Sequence, residues 1–431
     1  MRLNMITPFT QSAALLFAAT AVAAIAANDW PQWGGPRRNG CSPETGLLKQ
    51  WPQQGPPLVW KTTGLGAGYS GVTLAGERVY TAGDKADANY VLALNRADGT
   101  LVWSAKLGKA GAPGWGGFAG PRASVTIDGE RLYAVGQYGE LVCVQAADGK
   151  ELWRQSYTED FGSKVPEWGF SESVLVDGDR VVCTPGSPRG TLVALNKQTG
   201  ELLWQSQEFT DEAHYASVNV TELGGVRQYV QLTEKSLAGV AARDGKLLWK
   251  TARKGATAVI PDPIISGDYI YVTSGYGIGC NLFKVAKEGD GFGVQEVYKN
   301  KVIENHHGGA VLVGEHLYGF SEGKGWTCQE LKTGKVVWQA KESAKDQENK
   351  AGKVLGKGSI LYADGHLYLR SEAGPGTLAL IDATPAGYKE TGRFDPPNRS
   401  DKNSWPHPVV ADGRLYVRDQ DVLLCYEVKQ K

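Results

Sequence analysis

A small residue, a Gly six positions later and a Trp four beyond that recur at Ala93/Gly99/Trp103, Cys143/Gly149/Trp153, Ala194/Gly200/Trp204, Gly239/Gly245/Trp249 and Cys328/Gly334/Trp338. Fixed spacing inside units of roughly 40 to 50 residues marks a repeat architecture in which no unit buries its apolar face alone. Each unit reads as short alternating runs joined by tight turns, as in Val125–Val135, with its Asp128-Gly129 turn, followed by 140–144 and 148–153. Such runs predict a four-stranded antiparallel meander, and helical periodicity is absent.

Three further hairpins, at Ser266-Gly267-Asp268, Ala363-Asp364-Gly365 and Ala411-Asp412-Gly413, mark units whose last strand has diverged, two of them keeping Tyr298 and Phe394 near its end. The final unit stops at Val428, one strand short, whereas Pro57-Leu58-Val59-Trp60-Lys61 is an orphan outer strand. Pairing the two closes a ring. The expected fold is therefore all-β, an eight-bladed propeller of four-stranded blades whose last blade is completed by the N-terminal strand, which protects the sheet edges.

The expected organisation has three parts: a signal peptide at 1–27, a leader at 28–56 packed on the propeller, and the propeller at 57–431. Arg2 precedes an apolar, alanine-rich stretch ending in small residues at Ala24 and Ala26, a secretory pattern too short for a spanning helix. Cleavage is expected near Ala26-Ala27, giving a periplasmic or secreted protein. Cys41 lacks the apolar and small neighbours of a lipoprotein cleavage site. Trp30, Trp33 and Trp51 make the leader too apolar to lie wholly in water, so it is expected to extend over the propeller face.

Lys+Arg and Asp+Glu both number 46, which gives no electrostatic basis for nucleic acid or an anionic membrane surface. A protein partner or small polar ligand remains, with a monomer expected. The six cysteines do not read as a disulfide framework: Cys143, Cys328 and Cys425 sit at small-residue repeat positions and Cys183 in a second strand, leaving Cys41 and Cys280 as the only loosely constrained pair. Both methionines fall in the signal segment and no Cys-x-x-Cys-His occurs, so neither haem attachment nor a Met axial ligand is available.

Loops that carry the chain from an outer strand to the next inner strand surround one mouth of a propeller channel. By register they hold Tyr69, Arg122, Glu172, His214, Tyr215, Asp262, His306, His307, Lys357, Trp405 and His407. The longer loops add Trp115, Phe118, Phe161, Trp168 and Phe170, a possible recognition surface. Basic groups here suit an acidic, oxygen-rich ligand, and Glu172 with Asp262 are candidate calcium ligands. The alternative is a cross-linked channel mouth with ion pairs such as Arg122 to Glu172. The stretch 341–357 is expected to be a solvated insertion. His214, His306 and His407 lack local zinc-ligand spacing, and there is no Gly-x-Ser-x-Gly nucleophile elbow.

Thr199-Gly200 through Trp204 and Thr333-Gly334 through Trp338 resemble the tryptophan-docking motif of pyrroloquinoline-quinone-type propeller repeats, and the likeness extends over about 58–428. The start 29–40 resembles the leader of exported quinoprotein-type propellers. The resemblance implies two functions, since one fold hosts many. Quinoprotein dehydrogenases of this fold would imply pyrroloquinoline quinone, calcium and an alcohol or sugar substrate, but this chain has no adjacent cysteine pair. Non-catalytic propellers, such as the lipoprotein of the outer-membrane assembly machine, imply a cofactor-free scaffold whose loops bind a partner. The second is the expectation, with the oxidoreductase as the alternative.

Overall fold

The computed structural model describes residues 29–114, 116–341 and 354–431. The signal segment, Trp115 and residues 342–353 of the expected insertion lie outside the described residues. Eight antiparallel sheets of four blade strands form the ring, without helix among the described residues. Their innermost strands, in chain order of blades 1 to 8, are Thr73–Ala75, Thr126–Asp128, Leu175–Asp177, Asn219–Leu223, Ile264–Ser266, Ala310–Val313, Gly358–Ala363 and Val409–Ala411. Leu58–Thr62 pairs antiparallel with Val422–Glu427 and supplies the outer strand of blade 8. The N-terminal closure expected from the sequence is present.

The repeated triplet is the joint between blades. Its small residue lies directly opposite its Trp: Ala93 faces Trp103, Cys143 faces Trp153, Ala194 faces Trp204, Gly239 faces Trp249, Cys328 faces Trp338 and Cys425 faces Trp60. Each pair is followed by a β-bulge, which turns the last strand. The indole then stacks on the repeat Gly of the next blade. A Cβ on Gly149 would stand 2.6 Å from the Trp103 ring, and one on Gly200 would stand 2.7 Å from Trp153. Both glycines also have φ of +76°, so steric fit and backbone conformation demand the same residue.

The indole N–H finds a carbonyl in that same neighbour: Trp60 donates to Arg96 O at 3.1 Å, Trp103 to Ala146 O at 3.1 Å, Trp153 to Lys197 O at 3.2 Å, Trp204 to Ala242 O at 3.2 Å and Trp338 to Thr384 O at 2.9 Å. In diverged blade 5, Tyr298 replaces Trp and donates to Leu331 O at 2.7 Å. Trp249 is the exception, donating within its own blade to Gln228 Oε1 at 2.5 Å. Blade 7 has Gly392 where a Trp would stand, and Trp51 of the leader fills the gap, packing on Tyr368 and Phe394 with ring centroids 5.7 and 5.3 Å away. A docked indole thus satisfies its polar edge while burying its faces.

All six cysteines are free thiols, and the expected candidates Cys41 and Cys280 do not pair. Cys41 lies in the channel against Leu312 O, whereas the Cys280 thiol donates to Asn300 Oδ1 at 3.0 Å within blade 5. No helix among the described residues is long and apolar enough to cross a membrane.

The sequence places the leader over a face, but its contacts run through the channel. Asp29 accepts from Gly76 N in the first hairpin turn of blade 1, and Glu44 accepts from Gly413 N at 2.7 Å in the corresponding turn of blade 8. Between these anchors the chain climbs and returns along the inner strands. Trp30 bridges Leu74 in blade 1, Pro31 O accepts from Ile127 N in blade 2, Cys41–Ser42 runs parallel to the inner strand of blade 7, and Ser42 donates to Val410 O in blade 8. A hairpin inserted from the turn face therefore fills one side of the channel.

Candidate functional site

The remaining space is a cavity of about 1060 Å³ that opens at the opposite, loop-bearing mouth. Of the residues expected there, Tyr69, Arg122, Tyr215, Asp262, His306, His307, Lys357, Trp405 and His407 line it. Glu172 and His214 do not. Glu172 is buried behind the wall, where its Oε1 accepts from Tyr157 OH and Thr184 N. His214 lines a separate small hollow, and its Nδ1 accepts from Val259 N at 2.9 Å, with burial lowering its pKa.

One wall is aromatic. Trp405 packs against Tyr69 and Phe118 at centroid distances of 4.6 and 4.9 Å, and His307 approaches Trp405 at 5.4 Å. Arg122 lies over Tyr69 at 5.8 Å and donates to Gly120 O and Phe118 O at 2.8 and 2.6 Å. The loop's own carbonyls hold it, so the expected ion pair to Glu172 is not formed. Trp168 and Tyr215, 5.9 Å apart, form a second aromatic pair on the rim.

A polar network faces them. Lys357 Nζ donates to His306 Nδ1 at 2.8 Å and to Glu322 Oε1 at 3.3 Å, and lies 3.8 Å from Glu372. His306 Nε2 and Tyr276 OH are 2.7 Å apart, and His307 Nε2 is 2.9 Å from Glu372 Oε2. Burial, reinforced by His307 and Lys357, pushes His306 down to about 3, so it stays neutral and can accept from Lys357. Burial likewise lowers His407 to about 4, where its ring packs edge-on to Trp33 at 4.7 Å.

Sequence reasoning missed Glu322, Glu372 and Tyr276 because it followed only the loops between blades. These three follow second strands, whose loops to the third strand open on the same mouth. It also missed the leader's contribution. Trp33 donates to Asp262 Oδ2 at 2.5 Å, and the other Asp262 oxygen accepts from Ser217 N at 2.5 Å. Arg38 is buried and donates to Ser173 O at 2.8 Å and Val174 O at 3.2 Å. It is pushed down to about 10 by burial and opposed by the nearby charges of Asp262 and Glu172. Burial raises Asp262 to about 6 and Glu172 to about 7, each resisted in part by Arg38.

Glu172 and Asp262 therefore do not form the expected calcium pair. They flank the leader's arginine, three of their four oxygens accept protein hydrogen bonds, and no three acidic, His or Cys side chains converge as a metal site among the described residues. The arrangement is suited to fixing a plug in a channel. What remains chemically available is a cavity with an aromatic wall, a hydrogen-bonded network of neutral His306 with Lys357 and Glu322, and the leader along one side.

Comparison with known proteins agrees with the propeller fold. A family model described as "Outer membrane protein assembly factor BamB" matches residues 87–340. The protein of that name from Shewanella oneidensis is 22% identical over 357 residues, covering 74% of this chain and 86% of that one. Among solved structures, BamB from Moraxella catarrhalis superposes with a TM-score of 0.55 at 15% identity, covering 81% of this chain and 94% of the other. Quinohemoprotein alcohol dehydrogenase from Comamonas testosteroni gives 0.60 at 12% identity, with coverages of 95% and 82%, a likeness of fold alone. By the extent of the family match, this chain belongs to the BamB family of pyrroloquinoline-quinone-like β-propellers.

Proposed function

We propose that this is an exported, non-catalytic binding module that engages a protein partner through the loop-bearing mouth. The aromatic wall formed by Tyr69, Phe118 and Trp405 at the rim of a large cavity carries this reading. Aromatic side chains dominate protein recognition because they bury much area with little loss of rotamer freedom. Family membership supports it, since the relatives are named as factors in outer membrane protein assembly. The expected setting is the periplasm or the exterior, and N-terminal sequencing of the mature protein should begin just after Ala27. A photo-crosslinking residue at Phe118 should trap a discrete protein partner in cells, and one at Gly178 on the turn face should not. Crosslinks only from Gly178 would reverse the assignment.

The alternative of a quinone-dependent oxidoreductase draws on the cavity's aromatic lining with Arg122 and Lys357, without a cluster of metal-ligating side chains among the described residues. Calorimetric titration with pyrroloquinoline quinone should show no calcium-dependent binding. Saturable calcium-dependent binding would establish the alternative.

A further inference from the structure

The channel is filled unevenly, and the empty side has the features of a peptide groove. In a propeller each innermost strand presents a free edge to the channel, with N–H and C=O groups that need partners. The leader satisfies such edges by strand-like contacts: Trp30 N and O both bond Leu74, and Tyr362 N donates to Gly40 O at 2.9 Å. Among the described residues, no main-chain hydrogen bond joins the leader to the innermost strand of blade 4 or blade 5. Ile264, Ile265 and Ser266 are all half-buried, whereas Val409, Val410 and Ala411 across the ring are buried.

The same cavity that opens among the aromatics continues along these strands. Val220, Thr221, Ile264 and Ile265 line it, and so does Gly267 in the turn at the far end. It is therefore as long as the inner strands, and its volume lies at the upper end of what small-ligand sites occupy. Its charged lining is mostly matched internally: Asp262 with Trp33 and Arg38, Lys357 with Glu322 and Glu372, Arg122 with carbonyls. Arg37 differs. It is exposed at the tip of the leader hairpin, lines the cavity, and makes no hydrogen bond or ion pair with the described residues.

We infer that the open flank of the channel receives an extended peptide segment of the partner protein, paired with the free edges of blades 4 and 5 and carrying an acidic side chain for Arg37. This inference rests on the protein-binding reading of the mouth. Strand addition supplies affinity through the main chain, and the arginine supplies selectivity through a charge-assisted hydrogen bond. The leader shows that this channel accepts chain in that conformation. One edge of the ring is thus filled in cis and the other awaits a segment in trans.

The test is selection of phage-displayed random linear peptides against the full protein and against its Arg37→Glu variant. Arg37 is exposed, so both proteins should melt alike. Selected peptides should carry an acidic residue and lack proline in the bound run, and Arg37→Glu should weaken them at least about tenfold, or about 1.4 kcal/mol, while Arg37→Lys retains them. Methylating alternate amides of a selected peptide should cost a comparable factor, because it removes the donors that pair with the strand edge. Failure to enrich any peptide, indifference to Arg37→Glu, or undiminished binding of the methylated peptide would overturn the inference, and binding of oligosaccharides in its place would reassign the groove. Persistence of the Phe118 crosslink in any of those cases would leave the mouth as a protein-binding surface and sink only the peptide groove. Loss of that crosslink in the wild-type protein would sink the underlying reading.

Discussion

The two sides of the channel differ in what covers them. Along blades 7, 8, 1 and 2 the leader bonds inner-strand edges or their carbonyls, and the innermost strands of blades 7 and 8 are almost wholly buried. Along blades 4 and 5 comparable strands from the same repeat remain half-exposed to the cavity. The repeat alone thus does not decide which edges are free. A segment outside the repeat does.

The sharpest way to break this comparison is Trp30→Ala. Trp30 is 4% exposed in the packed flank, so thermal or denaturant unfolding should show a loss of about 4 kcal/mol. A loss near zero would mean the leader is a passenger in the channel. Next is Arg38→Met, which leaves Glu172 and Asp262 without their counter-charge. It should cost about 3 kcal/mol at pH 8 and distinctly less at pH 5, where both carboxyls take up protons. Equal cost at both values would place the charge elsewhere.

Smaller effects sharpen the picture. In the unfolded chain a Glu loses its proton near 4.5, whereas buried Glu172 holds it up to about 7. The folded state therefore binds more protons between those values, and stability declines as pH rises through that window and levels above it. Glu172→Gln should flatten this decline in pH-dependent melts while leaving the low-pH stability close to that of the parent. Last, Ile265→Ala on the open flank should cost only about 1 kcal/mol because the side chain is half-exposed. A cost matching that of Trp30→Ala would show the two flanks to be equally packed.

The fold was legible because its joints are local. Small residue, Gly and Trp lie within eleven positions of each other, and the requirement for Gly under an indole is steric. Even the diverged Tyr298 keeps an aromatic hydroxyl for the next blade. The site was legible in part, since register places side chains at a rim but does not say which way they turn. Glu172 shares the register of mouth residues yet points behind the wall to Tyr157, and His214 turns to Val259 N. The role of Arg38 was not legible, because its partners Ser173, Val174, Glu172 and Asp262 are distant in sequence and meet it only after the ring closes.

Closure also sets the order in which this molecule can be made. Cys41 pairs with Tyr362, Glu44 reaches Gly413, and Leu58 pairs with Tyr426, so residues ahead of the first blade bind residues of the seventh and eighth. Contacts separated by more than three hundred residues carry a loop-closure cost that nearest-neighbour blades do not. Blades 1 to 6 can grow one upon another as the chain emerges, and Trp30 and Pro31 can dock early on blades 1 and 2, but the segment from Cys41 to Thr62 awaits blades 7 and 8. Sealing the ring and seating the hairpin in its channel are therefore late, coupled folding events, and a circular permutant that joined residue 428 to residue 57 would separate them.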